Sequence, residues 1–249
     1  MARALGYRQP TMAVIETLLA LDSSGAACSA ALWRRGTVVA CRYRAMARGH
    51  AEALMPMLIE TMTEAGEQLA ALDAVAVTVG PGAFTGIRIG LAAARGIGLA
   101  ANIPVVGVTT FAAVAEAVSD AERMGRRLLV VLDSKRGDVF AQEFTSDRAA
   151  VGTPAVLPLA GVLQRVASGR FTLAGDGIAV VRRDVDAADL DVRYSAADGP
   201  ADARWLAPLA ARSLAEKIAL PPTPLYLRAP EVRLPPGAAS APDTSAPDR

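Results

Sequence analysis

Ala74-Val-Ala-Val-Thr-Val-Gly80-Pro-Gly-Ala-Phe84-Thr-Gly-Ile-Arg-Ile-Gly90 reads as a strand, a glycine-rich turn and the opening of a helix that runs to residue 101. The apolar run 103–108 supplies a second strand, and a helix is expected from Thr110 to about Arg123. Upstream, 17–23 is a short apolar run fit for a buried strand. Residues 28–33 and 37–43 flank the turn Arg34-Arg35-Gly36 as a hairpin, and 50–66 is helical. The order is βββαβαβα, a hairpin edge followed by alternating strands and helices. It predicts an α/β fold with a mixed sheet and helices packed on it.

The order then partly restarts. Residues 127–133 and 139–144 form a second hairpin around Ser134-Lys-Arg-Gly-Asp138. A helix near 159–167, a strand at 171–174, the turn Gly175-Asp176-Gly177 and a helix from about 201 to 219 follow. This predicts an N-terminal domain over 17–110 and a smaller domain over 111–230. Residues 1–16 read as a disordered leader with Met12 as an alternative start. The Pro-, Ala-, Ser- and Asp-rich tail 231–249 reads as disordered.

Composition excludes several classes. The chain is 52% hydrophobic but only 4% aromatic, so its core is built from Ala, Val, Leu and Ile. A net charge of +1 gives no global reason to bind nucleic acid tightly, although Arg42 and Arg44 share one strand face with Arg48 just beyond. Cys28 and Cys41 have neither CxxC spacing nor a second cluster and read as free thiols of a reducing cytoplasm. No stretch reaches the roughly 20 apolar residues of a membrane span. His50 is the only histidine, so a two-histidine metal site is excluded, as is any Ser-His-Asp triad without it.

The glycine-rich turn is not a P-loop, because Ile87 and Arg88 stand where Lys-Ser/Thr would follow Gly86. It is not a dinucleotide fingerprint either: the spacing is GxGxxxG, and the next strand ends in Thr109-Thr110 without a ribose-binding acid. Gly86, Gly90, Ala94 and Gly98 instead repeat every four residues. Each helical glycine costs about 1 kcal/mol relative to alanine. The ridge therefore predicts the close approach of another backbone, from a partner protein or from the domain's own sheet. On the 50–66 helix, Ala51, Leu54, Met55, Met57, Leu58, Ile59, Met62 and Ala65 spread over about 200°. A helix covering only its own core needs a stripe nearer 100°. The surplus and the methionines suit an adaptable interface. Asp22-Ser23-Ser24 and Asp133-Ser134 either cap turns or form phosphate-contacting loops of a doubled nucleotide-binding fold, with Gly175-Asp176-Gly177 as a third.

Together, Leu19-Ala-Leu-Asp-Ser-Ser24, Cys28-Ser-Ala-Ala-Leu32, His50-Ala-Glu-Ala-Leu-Met-Pro56, the Gly80 to Gly90 segment, Ile103-Pro-Val-Val-Gly-Val-Thr109, Asp133-Ser-Lys-Arg-Gly-Asp-Val-Phe140 and Pro224-Leu-Tyr-Leu-Arg228 resemble the TsaB (YeaZ) family. The resemblance covers about residues 17–230. It implies an actin-like ATPase (ribonuclease H-like) fold of two related domains. It also implies a heterodimer with the catalytic paralogue TsaD, assisted by TsaE, in making threonylcarbamoyladenosine beside the tRNA anticodon. On this resemblance the chain is non-catalytic, without a metal or a tightly bound cofactor, with weak ATP or ADP binding at Asp22, Ser23, Ser24, Asp133, Gly175, Asp176 and Gly177 left open. Its partner interface would comprise His50, Leu54, Met57, Leu58, Met62, Gly86, Arg88, Gly90, Leu91, Ala94, Arg95 and Gly98. Contact with tRNA would be indirect or weak, and the isolated chain would form a homodimer. The competing readings are a self-sufficient ATP-dependent phosphotransferase, an inactive glycoprotease-like homologue and a purely structural homodimer.

Overall fold

Strand β1 (Thr17–Gly25) sends Leu19 and Leu21 to one face of a sheet and Leu18 and Ala20 to the other, and all four are wholly buried. In the computed structural model, which describes residues 15–228, it is the middle strand of five. Strands β2 (Ala27–Arg34) and β3 (Thr37–Ala45) continue from it as antiparallel neighbours. After α1 (His50–Glu64) come β4 (Ala74–Gly80), α2 (Phe84–Ala101), β5 (Val105–Thr109) and α3 (Thr110–Ala117). Strands β4 and β5 run parallel to β1, giving the order β3-β2-β1-β4-β5.

The restart is complete rather than partial. After the short α4 (Asp120–Arg123), the chain forms β6 (Arg127–Asp133), β7 (Val139–Phe144), β8 (Ala150–Leu157), α5 (Leu159–Val166), β9 (Phe171–Ala174), α6 (Ile178–Ala187), β10 (Val192–Tyr194) and α7 (Ala203–Ala215). The second sheet has the order β8-β7-β6-β9-β10 with the same strand directions as the first. One departure from the expected elements is the helix predicted from Thr110 to about Arg123. It breaks because Val118 is extended and Ser119 opens a new helix in a capping box with Glu122.

The layers follow from which faces are apolar. Helices α1 and α2 cover the outer face of the first sheet through Leu54, Met57, Leu58, Ile87, Leu91 and Ile97. Helices α5 and α6 cover the outer face of the second. Between the sheets lie α3 and α7, in one continuous core that runs from Leu18 and Val106 through Phe111 and Leu206 to Leu128 and Phe140. Helix α7 follows the second sheet in sequence yet packs on β1, β2 and β3 of the first, pinned by Ala203 N donating to Ser29 Oγ at 2.8 Å. A division at residue 110 therefore separates the two sheets but not the helices that join them. Ile15 and Glu16 are tied to the first unit, since Glu16 N donates to Asp73 Oδ2 at 2.8 Å. The expectations for residues 1–14 and 229–249 lie outside the described residues.

Helix α2 is long and apolar enough to cross a membrane on length and composition alone. It lies against β1 and β4 as a core helix instead. Both cysteines are free, and burial pushes the Cys28 thiol up to about 11, which makes it unreactive.

Candidate functional site

The loops at the strand ends are bonded within their own units: the Asp22 loop to itself, β4, α2 and α3, and the Asp133 loop to the Asp176 turn. Asp22 is wholly buried, and its Oδ1 accepts from Ser24 N (3.1 Å), Ser24 Oγ (2.6 Å) and Thr78 Oγ1 (2.5 Å). Its Oδ2 has no hydrogen-bond partner among the described residues. Burial raises the Asp22 pKa above its ordinary value, outweighing the bonds from Ser24 and Thr78 that pull it down. Ser23 Oγ donates to Gly86 O at 2.9 Å, and Thr110 Oγ1 donates to Ser24 Oγ at 3.3 Å. In the second unit, Asp133 N donates to Asp176 Oδ1 at 3.0 Å, while the Asp133 carboxylate holds Lys135 N (2.7 Å) and Lys135 Nζ (2.8 Å). Gly175, at φ +98°, and Gly177 lie on the Val131 backbone, where a Cβ would come within 2.3 and 2.8 Å.

The fold that the family resemblance implies would hold a nucleotide between such loops. A phosphate cradle at the glycine-rich turn needs free N–H groups, yet Ala83 N donates to Ser24 O at 2.7 Å. A Cβ on Gly82 would sit 2.2 Å from that same oxygen. Ser24 O therefore takes the Ala83 amide and the face of Gly82, and neither is available to a phosphate. Among the described residues, no group of three or more His, Cys, Asp or Glu side chains is arranged to hold a metal ion. An open pocket of about 330 Å³ lies between Tyr43, Val114 and Trp205, and none of the candidate residues lines it.

Asp22 gives a test with a definite sign. Its folded pKa lies above the ordinary value of 3.8, so the folded state binds the proton more tightly. Wild-type stability therefore falls as pH rises from the unfolded pKa toward the folded one. Asp22→Asn keeps an acceptor for Ser24 and Thr78 and removes the disfavoured charge. It is expected to melt at a higher temperature than wild type at neutral pH and to lack that decline. Thermal unfolding from about pH 4 to pH 8 checks this; a variant that melts lower throughout would mean the charge is needed.

Most of the residues predicted for the interface point into the chain itself. Leu54, Met57, Leu58, Met62, Gly86, Gly90, Leu91, Ala94 and Gly98 are all buried inside the chain. The glycine ridge faces the domain's own sheet: a Cβ would lie 2.1 Å from Ser23 O at Gly86, 2.9 Å from Ser23 Oγ at Gly90 and 2.4 Å from Val105 Cγ2 at Gly98. His50 Nε2 lies 3.0 Å from Gly25 O and ties α1 to the β1–β2 turn. Arg88 stacks over the Phe84 ring at 3.4 Å, and Arg95 Nη2 donates to Pro222 O at 2.5 Å. Arg42 pairs with Glu60 and Glu64 on α1.

What α1 and α2 leave outward is one ridge over: Met55 (43% exposed) and Ile59 (62%) on α1, with Ala92, Gly96 and Leu99 (75%) on α2. The 200° arc thus divides into a buried part and an exposed edge. Sequence reading gave the segment 218–228 no structural role, although Pro224-Leu-Tyr-Leu-Arg228 entered the family resemblance.

A family model described as TsaD, tRNA N6-adenosine threonylcarbamoyltransferase, matches residues 44–182. The Escherichia coli tRNA threonylcarbamoyladenosine biosynthesis protein TsaB is 34% identical over 64% of this chain and 71% of its own length. An uncharacterised protein of Mycobacterium tuberculosis is 38% identical over 59% of this chain and 68% of its own. The solved structure of YeaZ from Pseudomonas aeruginosa is 32% identical, with a TM-score of 0.72 over 86% of this chain and 100% of that one. Two sheets of identical strand order, joined through helices they share, make this an α/β protein of two related units, the second repeating the first. The chain belongs to the TsaB (YeaZ) family.

Proposed function

We propose that the chain is a non-catalytic partner subunit in the synthesis of threonylcarbamoyladenosine in tRNA, and that it docks on the catalytic paralogue TsaD through the outer faces of α1 and α2. One observation carries this reading: Met55, Ile59 and Leu99 are exposed on two helices covering the same face of the first sheet, beside the small residues Ala92 and Gly96. Large aliphatic side chains next to small ones allow a second pair of helices to approach closely. Docking there would favour the active conformation of the partner by binding that conformation more tightly. TsaE is a further partner in this reading, contact with tRNA is indirect or weak, and the setting is the cytoplasm. The same helices pair with a second copy when the partner is absent. In this reading no cofactor is held tightly.

The test is size-exclusion chromatography with light scattering, on the chain alone and mixed with TsaD of the same organism, with and without ATP. The expected result is a new species containing both proteins in equal number. Independent elution under every condition would overturn the reading.

A further inference from the structure

We infer that residues 218–228 form a strap that transmits the state of helix α2 to the β6–β7 turn of the second unit. The inference rests on the partner reading above for its physiological trigger, but the strap itself stands on geometry.

Lys217, at φ +60°, turns the chain out of α7, and the strap then touches four elements in succession. Gly107 N, on β5, donates to Leu220 O at 2.8 Å. Pro221 lies flat on that strand because Gly107 has no side chain; a Cβ there would be 2.5 Å from Pro221 O. Arg95 of α2 donates to Pro222 O. Leu225 N donates to Val79 O at 2.7 Å, and Leu225 O covers Gly80, where a Cβ would be 2.8 Å away and φ is +109°. The Tyr226 ring lies 5.2 Å from that of Phe84, and the Arg88 guanidinium is 3.4 Å from the Phe84 centroid and 5.7 Å from the Tyr226 centroid. Finally Arg228 pairs with Asp138, in the β6–β7 turn of the second unit. Burial pushes the Asp138 carboxyl up, but the bonds from Ser134 and Arg228 outweigh it and hold the group below its ordinary range.

Two arginines seven residues apart on α2 therefore hold the strap, and they border the exposed ridge of Ala92, Gly96 and Leu99. A subunit seated on that ridge covers the Phe84–Arg88–Tyr226 cluster and excludes water from it. Cation–π contacts strengthen on desolvation, so docking tightens the strap. The tightened strap in turn holds Arg228 on Asp138. Coupling of this kind is reciprocal and commonly amounts to about 5- to 150-fold in an equilibrium.

Hydrogen exchange on the full chain, read by mass spectrometry, tests the strap in two arms. In the chain alone, Arg88→Ala is expected to speed exchange of the 134–139 amides severalfold, although Arg88 does not touch that turn. Arg228→Ala should do the same, because it removes the strap's contact with that turn. Because Arg228 touches the turn itself, Arg88→Ala decides: unaltered exchange at 134–139 in that variant overturns the inference. In the second arm TsaD of the same organism is added. Wild type is expected to gain protection in α1, α2 and 134–139 together, whereas Arg228→Ala gains it only in the helices. Protection of the helices alone in wild type overturns the coupling and leaves the partner reading standing. If neither helix gains protection, the partner reading fails, and the first arm still decides the strap.

Discussion

Gly86→Ala is expected to destabilise the chain by about 3 kcal/mol, the upper end of what overpacking a well-fitted core costs. The added Cβ would sit 2.1 Å from Ser23 O, and that atom is backbone in a strand buried on both faces. Neither β1 nor α2 can yield without disturbing Ser23 Oγ on Gly86 O and the bonds around Asp22. For a chain of this size the loss corresponds to a fall of roughly 10 °C in melting temperature. Gly96 is the internal control, since it lies on the same helix with nothing within 4 Å of its Cβ position. Gly96→Ala should gain up to about 1 kcal/mol from helix propensity. Urea unfolding of the two variants and wild type checks both signs. If Gly86→Ala comes within about 0.5 kcal/mol of wild type, α2 does not lie on β1 in solution.

The same glycines show what the sequence can and cannot say. A ridge of Gly86, Gly90, Ala94 and Gly98 announces a close approach, because glycine in a helix is otherwise a loss. Periodicity identifies the face but not its neighbour, and the neighbour is β1. Helix α1 carries the same ambiguity: a wide apolar arc shows excess, and only packing separates buried Met57 and Leu58 from exposed Met55 and Ile59. The first unit was legible because β1, β4 and β5 are uninterrupted apolar runs punctuated by glycine and proline. In the second unit, β8 was hidden by Gly152, at φ +66°, and by Pro154, both tolerated on an exposed edge strand. Helix α6 shows only a narrow stripe of Ile178, Val181 and Val185 among charged residues, and β10 has three residues.

The loops at Asp22, Asp133 and Asp176 could be located from strand ends alone, since parallel strands bring those ends to one edge. Their mutual bonds could not, because Asp133 N to Asp176 Oδ1 spans 43 residues and Thr78 Oγ1 to Asp22 Oδ1 spans 56. The strap is the extreme case. Its order comes from Gly80, Arg95 and Gly107, more than a hundred residues earlier, and nothing local to Pro221, Pro222 and Pro224 foretells it.

Exposure separates a test of the docking face from a test of the fold. Ile59→Glu and Leu99→Glu are expected to leave the unfolding temperature of the isolated chain nearly unchanged, because both side chains already stand in water. Each should weaken binding to TsaD about 30-fold, the equivalent of a hot-spot contact of about 2 kcal/mol, and the pair at least about a hundredfold. Calorimetric titration together with a melting curve on each variant measures both quantities. Met57→Glu marks the opposite case: it places a charge in the core beneath α1, so binding and folding should fail together. Lost affinity at an unchanged melting temperature is the outcome that an outward ridge requires. A double variant that binds like wild type would move the docking surface off these helices. The exposure of Ile59 and Leu99 would then need another occupant, and a second copy of the chain is the first to test by light scattering.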